Sequence, residues 1–274
     1  MNSPPNQVCL ELSFLCILCR IGGCCSFSYD VSIDYTEVLP MERKNLIGMV
    51  PFYLLFFIGF IGIANWFSDT RTAAVQTEPV VRHHTVIIDA GHGGIDGGAT
   101  SCTGVLESTL NLEIALRLND LLTLLGMDTT MIRTTDTSIY TEGNTIAAQK
   151  VSDLKERARI VNDTENAILI SVHQNTFSNS KYSGAQVFYA ATEGSAELAL
   201  QIQTSFVSTI NPGSNRKCKP AKGVYLMEQI IRPGVLIECG FLSNPEEEAK
   251  IRSSEYQKLI CCVIASSVSC HFDT

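Results

Sequence analysis

The 274-residue sequence lacks the features that mark several large classes of proteins. Its formal net charge is −8, and it has no basic stripe with interleaved aromatic residues, so a nucleic-acid-binding protein is not expected. It has neither the GxGxxG spacing nor the GK[ST] ending of nucleotide-binding loops. It also has no internal repeat and no low-complexity tract. The length and composition instead indicate a single globular domain with additional segments.

The chain has eleven cysteines but no cysteine framework that predicts a structural metal site. Cys16 and Cys19 form one CxxC pair, yet no second pair follows at a zinc-finger spacing, and Cys24 and Cys25 are adjacent. The remaining cysteines are even in number, so they could all pair as disulfides outside the cell, but no spacing predicts which would pair. These are Cys102, Cys218, Cys239, Cys261, Cys262 and Cys270.

The N-terminal segment, residues 1–45, does not fit the plan of the rest of the chain. Two charged residues interrupt what would otherwise be an apolar span. Met41 is followed by Glu42, Arg43 and Lys44, which is an ordinary beginning for an export signal or anchor. We therefore predict that translation starts at Met41 and that residues 1–40 are not made in the cell.

Leu46–Phe67 predicts a transmembrane signal-anchor helix. Its 22 residues carry no charge, and as a helix they would span about 33 Å, enough for a bilayer core. Arg43 and Lys44 before it favour a cytoplasmic N-terminus. A cleaved signal is the alternative, but its apolar core exceeds the usual length of about 7 to 15 residues and no clear A-x-A site follows. Residues 68–84 then form a linker to a domain outside the cytoplasm.

Three short apolar runs are typical of buried strands, and each leads to a polar residue. In open α/β sheets, ligands collect beyond the carboxyl ends of the strands, so we expect the three polar residues to share one crevice. The runs and their polar residues are Val86–Ile88 with His92, Ala167–Val172 with His173, and Val235–Ile237 with Glu238.

A helix is predicted directly after the first of these strands, with Glu107 at or just before its first turn. Gly126 stands where a glycine commonly ends a helix. A carboxylate at the first turn also gains about 0.3 to 1 kcal/mol from the helix dipole. Apolar residues recur at three- and four-residue steps: Leu110, Ile114, Leu118, Leu121, Leu122 and Leu125.

The four polar residues together predict a metallohydrolase. Two histidines and one carboxylate make a three-ligand zinc site with an open fourth position. Glu238 follows a buried apolar run, where an ionisable group is costly unless it is paired or used. Taken singly, a histidine after a strand or a glutamate at a helix start is more often structural. Cys239 is not expected to be a nucleophile, because alternation along the strand points it to the opposite face from Glu238.

The same segments resemble the zinc-dependent N-acetylmuramoyl-L-alanine amidases of the amidase 3 family. The resemblance extends from Thr85 to His271, and its motifs DAGHGG, SVHQN and ECGFLSNPEE appear in order. It implies that one zinc ion is bound by His92, Glu107 and His173. It also implies that Glu238 is the catalytic carboxylate.

The reaction implied by the resemblance is hydrolysis of the amide between N-acetylmuramic acid and L-alanine of the stem peptide in bacterial peptidoglycan. The HQN tripeptide and the ECGFLSNPEE ending are most similar to CwlD-type amidases, which prepare spore-cortex peptidoglycan for muramic-δ-lactam formation. Two alternatives remain: a zinc peptidase that acts within the stem peptide, and a non-catalytic membrane-anchored wall-binding protein. Glu238 argues against the second. The expected location is a membrane-anchored, extracytoplasmic domain, or a secreted one if the signal is cleaved.

Two further residues are candidates for roles near the site. Arg157, in LKERARIVN, matches the family's helix arginine, although Val161 stands where relatives often carry alanine. We interpret Arg157 as a structural anchor rather than a substrate contact. Asn175 lies two residues after His173 and shares its strand face if the strand continues. It either orients substrate or a ligand, or forms a turn.

One basic cluster follows the Asn211-Pro212-Gly213 turn. Its four cations either meet carboxylates of a peptide stem or form a solvated loop. They are Arg216, Lys217, Lys219 and Lys222.

Strands that alternate with helices predict a three-layer α/β domain over residues 85–274, with a largely parallel central sheet flanked by helices. The metal site is then expected at the carboxyl ends of the strands. The remaining elements are predicted as strands at 127–133, 184–191 and 223–228, and as helices at 152–162, 195–210 and 255–270.

Overall fold

A six-stranded sheet forms the centre of the structure, a computed structural model that describes residues 84–272. In chain order its strands are β1 (Thr85–Ala90), β2 (Asp128–Met131), β3 (Ala167–Asn175), β4 (Gln186–Tyr189), β5 (Lys219–Pro220) and β6 (Gly234–Phe241). Their spatial order is β2-β1-β3-β6-β4-β5. The first four strands in that order run parallel, and β4 pairs antiparallel with β6.

Helices cover both faces of this sheet. They are α1 (Glu107–Leu124), α2 (Ile146–Asp163), α3 (Ser195–Thr209), α4 (Tyr225–Gln229), α5 (Pro245–Ile251) and α6 (Ser254–Phe272). Buried residues of α1, α3 and α6 pack on one face, against strand residues that include Ile88 and Ile170. Those of α2 and α4 pack on the other, against Ile87 and Leu169. The predicted three-layer α/β fold with a largely parallel sheet is confirmed.

The central strands are apolar throughout because both of their faces are covered. Val86, Ile87 and Ile88 of β1 are completely buried. Burial of each such side chain contributes about 1.5 to 3 kcal/mol to folding. The polar residues begin where the strands leave the two helical layers, and that edge holds the candidate site.

The first helix begins and ends where the sequence predicted. Glu107 is its first residue, and Gly126 follows it in the left-handed conformation, with φ of 79°. The Gly126 N–H donates to the carbonyl of Thr123 at 2.9 Å. This glycine turn directs the chain into β2.

The strand predicted at 223–228 is wrong. The chain forms the short helix α4 there, and a two-residue strand, β5, precedes it. A short apolar run does not distinguish a strand from a helical turn by periodicity alone. The Gly223 N–H donates to Glu228 Oε1 at 2.6 Å, which closes the segment into a compact turn.

One helix boundary differs from the prediction, and one helix was not predicted. Helix α2 begins at Ile146, six residues before the expected start, and Thr145 caps it by accepting a hydrogen bond from the Ala148 N–H. Helix α5 was not predicted, although Asn244 caps it and Pro245 opens it. Asparagine followed by proline is a recognisable start of a helix.

The expected anchor Leu46–Phe67, the N-terminal segment 1–45 and all but the last residue of the linker 68–84 lie outside the described residues. Between residues 84 and 272, no helix has both the length and the apolar composition needed to cross a membrane.

Candidate metal centre

His92, Glu107 and His173 meet at the carboxyl ends of β1 and β3. His92 comes two residues after β1, His173 lies near the end of β3, and Glu107 opens α1. Glu107 Oε1 lies 3.3 Å from His92 Nε2 and 3.1 Å from His173 Nδ1. The fold therefore brings together the three residues that the sequence singled out as ligands.

The separations of these atoms fit a tetrahedral metal ion. Ligand atoms about 2.0 to 2.2 Å from such an ion lie about 3.3 Å from one another. The three residues offer ligand atoms that all lie within 4.8 Å of one another. Two imidazole nitrogens and one carboxylate oxygen suit a divalent ion of the zinc type. The donor set is therefore compatible with a metal without rearrangement of the backbone.

Glu107 is fixed by backbone donors as well as by the histidines. Its Oε2 accepts a hydrogen bond from the Ala99 N–H at 2.9 Å, and its Oε1 accepts one from the Gln174 N–H at 3.1 Å. Burial alone would raise the pKa of Glu107, but the hydrogen bonds and charges of His173 and His92 hold that pKa well below its usual range. Glu107 is therefore a permanent anion in the cluster.

Asp96 orients His92. Its Oδ2 lies 2.9 Å from His92 Nδ1, and its Oδ1 lies 2.6 Å from Lys150 Nζ. Burial lowers the pKa of His92, but the hydrogen bonds and charges of Glu107 and Asp96 outweigh it and raise that pKa to about 9. Metal-binding histidines commonly give their second ring N–H to a carboxylate. Asp96 was not predicted from the sequence, although its place four residues after His92 was a usable signal.

Two glycines make room for the ligands. A Cβ on Gly91 would lie 2.2 Å from His173 Nε2, so only glycine allows the imidazole to approach this backbone. Gly98 has φ of 68°, and a Cβ there would lie 2.7 Å from Glu107 Oε2. His92 itself has φ of 62°, a conformation that non-glycine residues seldom adopt and that is enriched at functional sites. These conformations shape the loop Gly91–Gly98, called the histidine loop below, around the site.

Arg157 holds this loop through its backbone carbonyls. It is buried, forms an ion pair with Asp89, and its Nε donates to Asp153 at 2.6 Å. Its Nη1 donates to the carbonyl of Ala90 at 3.1 Å, and its Nη2 to that of His92 at 2.8 Å. Burial alone would lower the pKa of Arg157, but Asp89 and Asp153 raise it above its usual value. These contacts support the interpretation of Arg157 as a structural anchor.

Arg133, which was not predicted from the sequence, holds the same loop. Its Nε donates to the carbonyl of Ala90 at 2.8 Å. Its Nη2 donates to the carbonyls of Gly91, at 3.0 Å, and Ser108, at 2.9 Å. Arg133 comes two residues after β2, and because that strand is largely polar (Asp128–Met131), no apolar run pointed to this arginine as one pointed to Glu238. The two arginines together determine where the histidine loop sits.

Glu238 lies beside the cluster on the neighbouring strand. It is paired in register with His173, and its Oε2 is buried without a hydrogen-bond partner among the described residues. Burial is the largest influence and raises the pKa of Glu238 to about 7, while the charge of His173 opposes that rise. A carboxyl group with such a pKa can both hold and release a proton near neutral pH.

Asn175 and Cys239, which lie close to His173 and Glu238 in the sequence, offer no group that could carry a proton or act as a nucleophile. Asn175 ends β3 next to an irregularity in the register with β6, and its side chain makes no hydrogen bond within residues 84–272. Cys239 is completely buried on the face opposite Glu238, and burial raises the pKa of its thiol well above the usual value. A buried neutral thiol is not a nucleophile.

Comparisons with known proteins identify the family of the chain. The family model described as N-acetylmuramoyl-L-alanine amidase, Amidase_3, matches residues 86–270. The chain is 36% identical over 189 residues to the germination-specific N-acetylmuramoyl-L-alanine amidase of Bacillus subtilis, covering 68% of this chain and 79% of the relative.

Solved structures are similar over the same region. The CwlD amidase from Clostridioides difficile, determined in complex with the GerS lipoprotein, is 36% identical, with a TM-score of 0.66 over 69% of this chain and 98% of that one. The N-acetylmuramoyl-L-alanine amidase from Clostridium difficile 630 is 33% identical, with a TM-score of 0.61 over 70% of this chain and 97% of that one. The chain belongs to the Amidase_3 family of N-acetylmuramoyl-L-alanine amidases.

Proposed function

We propose that the protein is an N-acetylmuramoyl-L-alanine amidase, which hydrolyses the amide between N-acetylmuramic acid and L-alanine of the stem peptide in peptidoglycan. Membership of the family supports this reaction. The observation that carries it is the position of Glu238, a carboxyl group with a raised pKa, in register with His173 at the three-ligand cluster. A wall-binding protein would have no use for a proton carrier there.

We propose that His92, Glu107 and His173 hold one zinc ion. When bound, the ion supplies a water nucleophile that is active at neutral pH and polarises the scissile carbonyl. The two nitrogens and one oxygen of the cluster support this choice of metal. Asp96 and the two backbone donors to Glu107 keep the ligands in place.

Glu238 moves the proton. Its unpartnered Oε2 accepts a proton from the attacking water, and the same carboxyl group then donates that proton to the departing amine of L-alanine. Because burial raises its pKa to about 7, this carboxyl group can both hold and release a proton near neutral pH. Arg157 and Arg133 contribute by holding the loop of His92 and not by contact with substrate.

The identity of the relatives supports a role on spore-cortex peptidoglycan, as a step before muramic-δ-lactam formation. One relative is named for germination and another is a CwlD amidase. The structure of that second relative was determined in complex with a lipoprotein, which supports an accessory protein as a partner of this chain too. We also propose that the catalytic domain lies outside the cytoplasm, tethered by Leu46–Phe67.

The reaction is tested by mass spectrometry of digested peptidoglycan. The full-length protein is stripped of metal and then incubated with purified peptidoglycan, with and without added zinc. The amidase releases peptides with a new N-terminal L-alanine and leaves the glycan intact, but only with zinc. A peptidase acting within the stem would leave L-alanine attached to the muramic acid. A wall-binding protein would release nothing.

A further inference from the structure

A cavity of about 900 Å³ opens beside the start of β4. Gln186, the first residue of β4, lines it and is paired in register with Glu238 of β6. Its walls come from two loops, residues 181–184 before β4 and residues 210–217 after α3. Because β4 runs antiparallel to β6, the start of β4 lies at the carboxyl end of β6. The cavity therefore belongs to the edge of the sheet that holds the candidate site.

The cavity is basic. Lys181, Arg216, Lys217 and Lys219 line it, and no aspartate or glutamate stands among the described residues that do so. None of these four cations forms an ion pair within residues 84–272. The nearby Glu247 is buried, and its two oxygens already accept the N–H groups of Gly184 and Phe241. Glu247 interacts electrostatically with Arg216, but one buried carboxyl group does not offset the four cations of the cavity.

Arg216 is held in one orientation. It is half-buried, and its Nε donates to the carbonyl of Ser183 at 2.9 Å. Its guanidinium carbon lies 4.9 Å from the centroid of the Phe241 ring, which supports the cation from one side. Its Nη2 has no acceptor in the described part of the chain. A guanidinium fixed in this way presents its remaining donors as a fork, the geometry that binds a carboxylate.

The length of β6 between Glu238 and Phe241, on whose ring Arg216 packs, matches the first residues of an extended peptide. Phe241 lies three residues beyond Glu238, which along a strand corresponds to about 10 Å. An extended peptide covers that length in about three residues. A carboxylate within the first residues after the cleaved amide would therefore reach Arg216.

We propose that this cavity is a subsite for the stem peptide and that Arg216 binds the free carboxylate of the residue after L-alanine. The proposal rests on the proposed amidase function. Of the four cations in the basic cluster of the sequence, Arg216 then recognises substrate, and Lys217 and Lys219 line the same cavity. Lys222 lies outside it.

Two synthetic muramoyl-peptides test this subsite. They differ only in having a carboxylate or a carboxamide on the residue after L-alanine. With the full-length, zinc-loaded protein, amidation should raise KM about tenfold and leave kcat little changed, since a hydrogen-bonded charge pair is lost in binding. This comparison uses the parent protein and does not depend on the folding of a variant.

Arg216→Gln should remove the discrimination. Its KM for the carboxylate peptide should rise to the value of the carboxamide peptide, whereas its KM for the carboxamide should not change. Arg216→Lys should retain part of the preference. Lys222→Gln is the matched control, because it removes the same charge from an exposed position in the same basic stretch, and it should behave like the parent.

The outcomes separate this proposal from the function on which it rests. If the parent cleaves both peptides with equal KM, or if Arg216→Gln weakens both equally, the carboxylate subsite is wrong and the amidase function stands. If the parent cleaves neither peptide, the amidase function and the subsite are both wrong.

Discussion

Replacing Glu238 by glutamine tests the proposed proton carrier with little change of shape. Oε2 of Glu238 has no hydrogen-bond partner in the described region, so an amide NH₂ in its place breaks no contact. We therefore expect the free energy of unfolding to change by less than about 1 kcal/mol. The substitution removes the ability to exchange a proton near neutral pH, which the raised pKa of about 7 gives to Glu238, because an amide neither accepts nor donates the proton.

The expected loss in turnover follows from that property. Positioned acid–base catalysis contributes about 10² to 10⁴ in rate, which corresponds to about 2.7 to 5.4 kcal/mol of activation free energy. We expect Glu238→Gln to lose kcat in this range while KM changes little. The measurement is hydrolysis of a muramoyl-peptide at saturating substrate, alongside zinc content by elemental analysis and thermal unfolding.

Glu107→Gln is the matched control, since it makes the same chemical change at a proposed ligand. That variant should bind zinc weakly and recover part of its activity in excess zinc, whereas Glu238→Gln should keep its zinc and gain nothing from more. The reasoning is refuted if Glu238→Gln with bound zinc hydrolyses the substrate at close to the parental rate. The family and the fold would stand, and the proton carrier would be another group.

The remaining predictions concern the metal, the arginine anchor and the N-terminal segment. His92→Ala and His173→Ala should each lose zinc, because two remaining ligands make a poor site; full occupancy by elemental analysis would remove them from the ligand set. Arg157→Leu should cost about 3 to 5 kcal/mol in urea unfolding, because it leaves Asp89 charged and buried without its partner; a loss below about 1 kcal/mol would contradict the anchor role. Burial raises the pKa of Asp89, but Arg157 and Ser171 lower it more. The stabilisation that the Asp89–Arg157 pair gives the folded state should therefore be complete above the unfolded pKa of about 3.9 and be lost as the pH falls below it. If the difference in unfolding free energy between the parent and Arg157→Leu does not shrink in acid, this expectation is wrong. Leu46–Phe67 should keep the protein in membranes washed with alkaline carbonate, whereas soluble protein with a new N-terminus after residue 64 would indicate a cleaved signal.

The sequence alone determined the layered fold and most of the candidate site. Parallel strands buried on both faces must be apolar, and their carboxyl ends share one edge, so the polar residues that follow Val86–Ile88, Ala167–Val172 and Val235–Ile237 were bound to converge. The periodicity of α1 placed Glu107 at its first turn, on the same edge. Local pattern and a general rule of sheet topology were sufficient for these residues.

The tertiary structure alone decided the contacts that hold and extend this site. Arg133 and Arg157 reach the histidine loop across 42 and 65 residues of sequence, and Arg216 is 25 residues from Phe241, so no local pattern records these partners. The segment 223–228 has an apolar run too short to distinguish strand from helix, and packing between α2 and the sheet selected the helix. Side-chain partners distant in sequence are chosen only when the layers assemble, because burial and charge at such positions depend on every element that packs there.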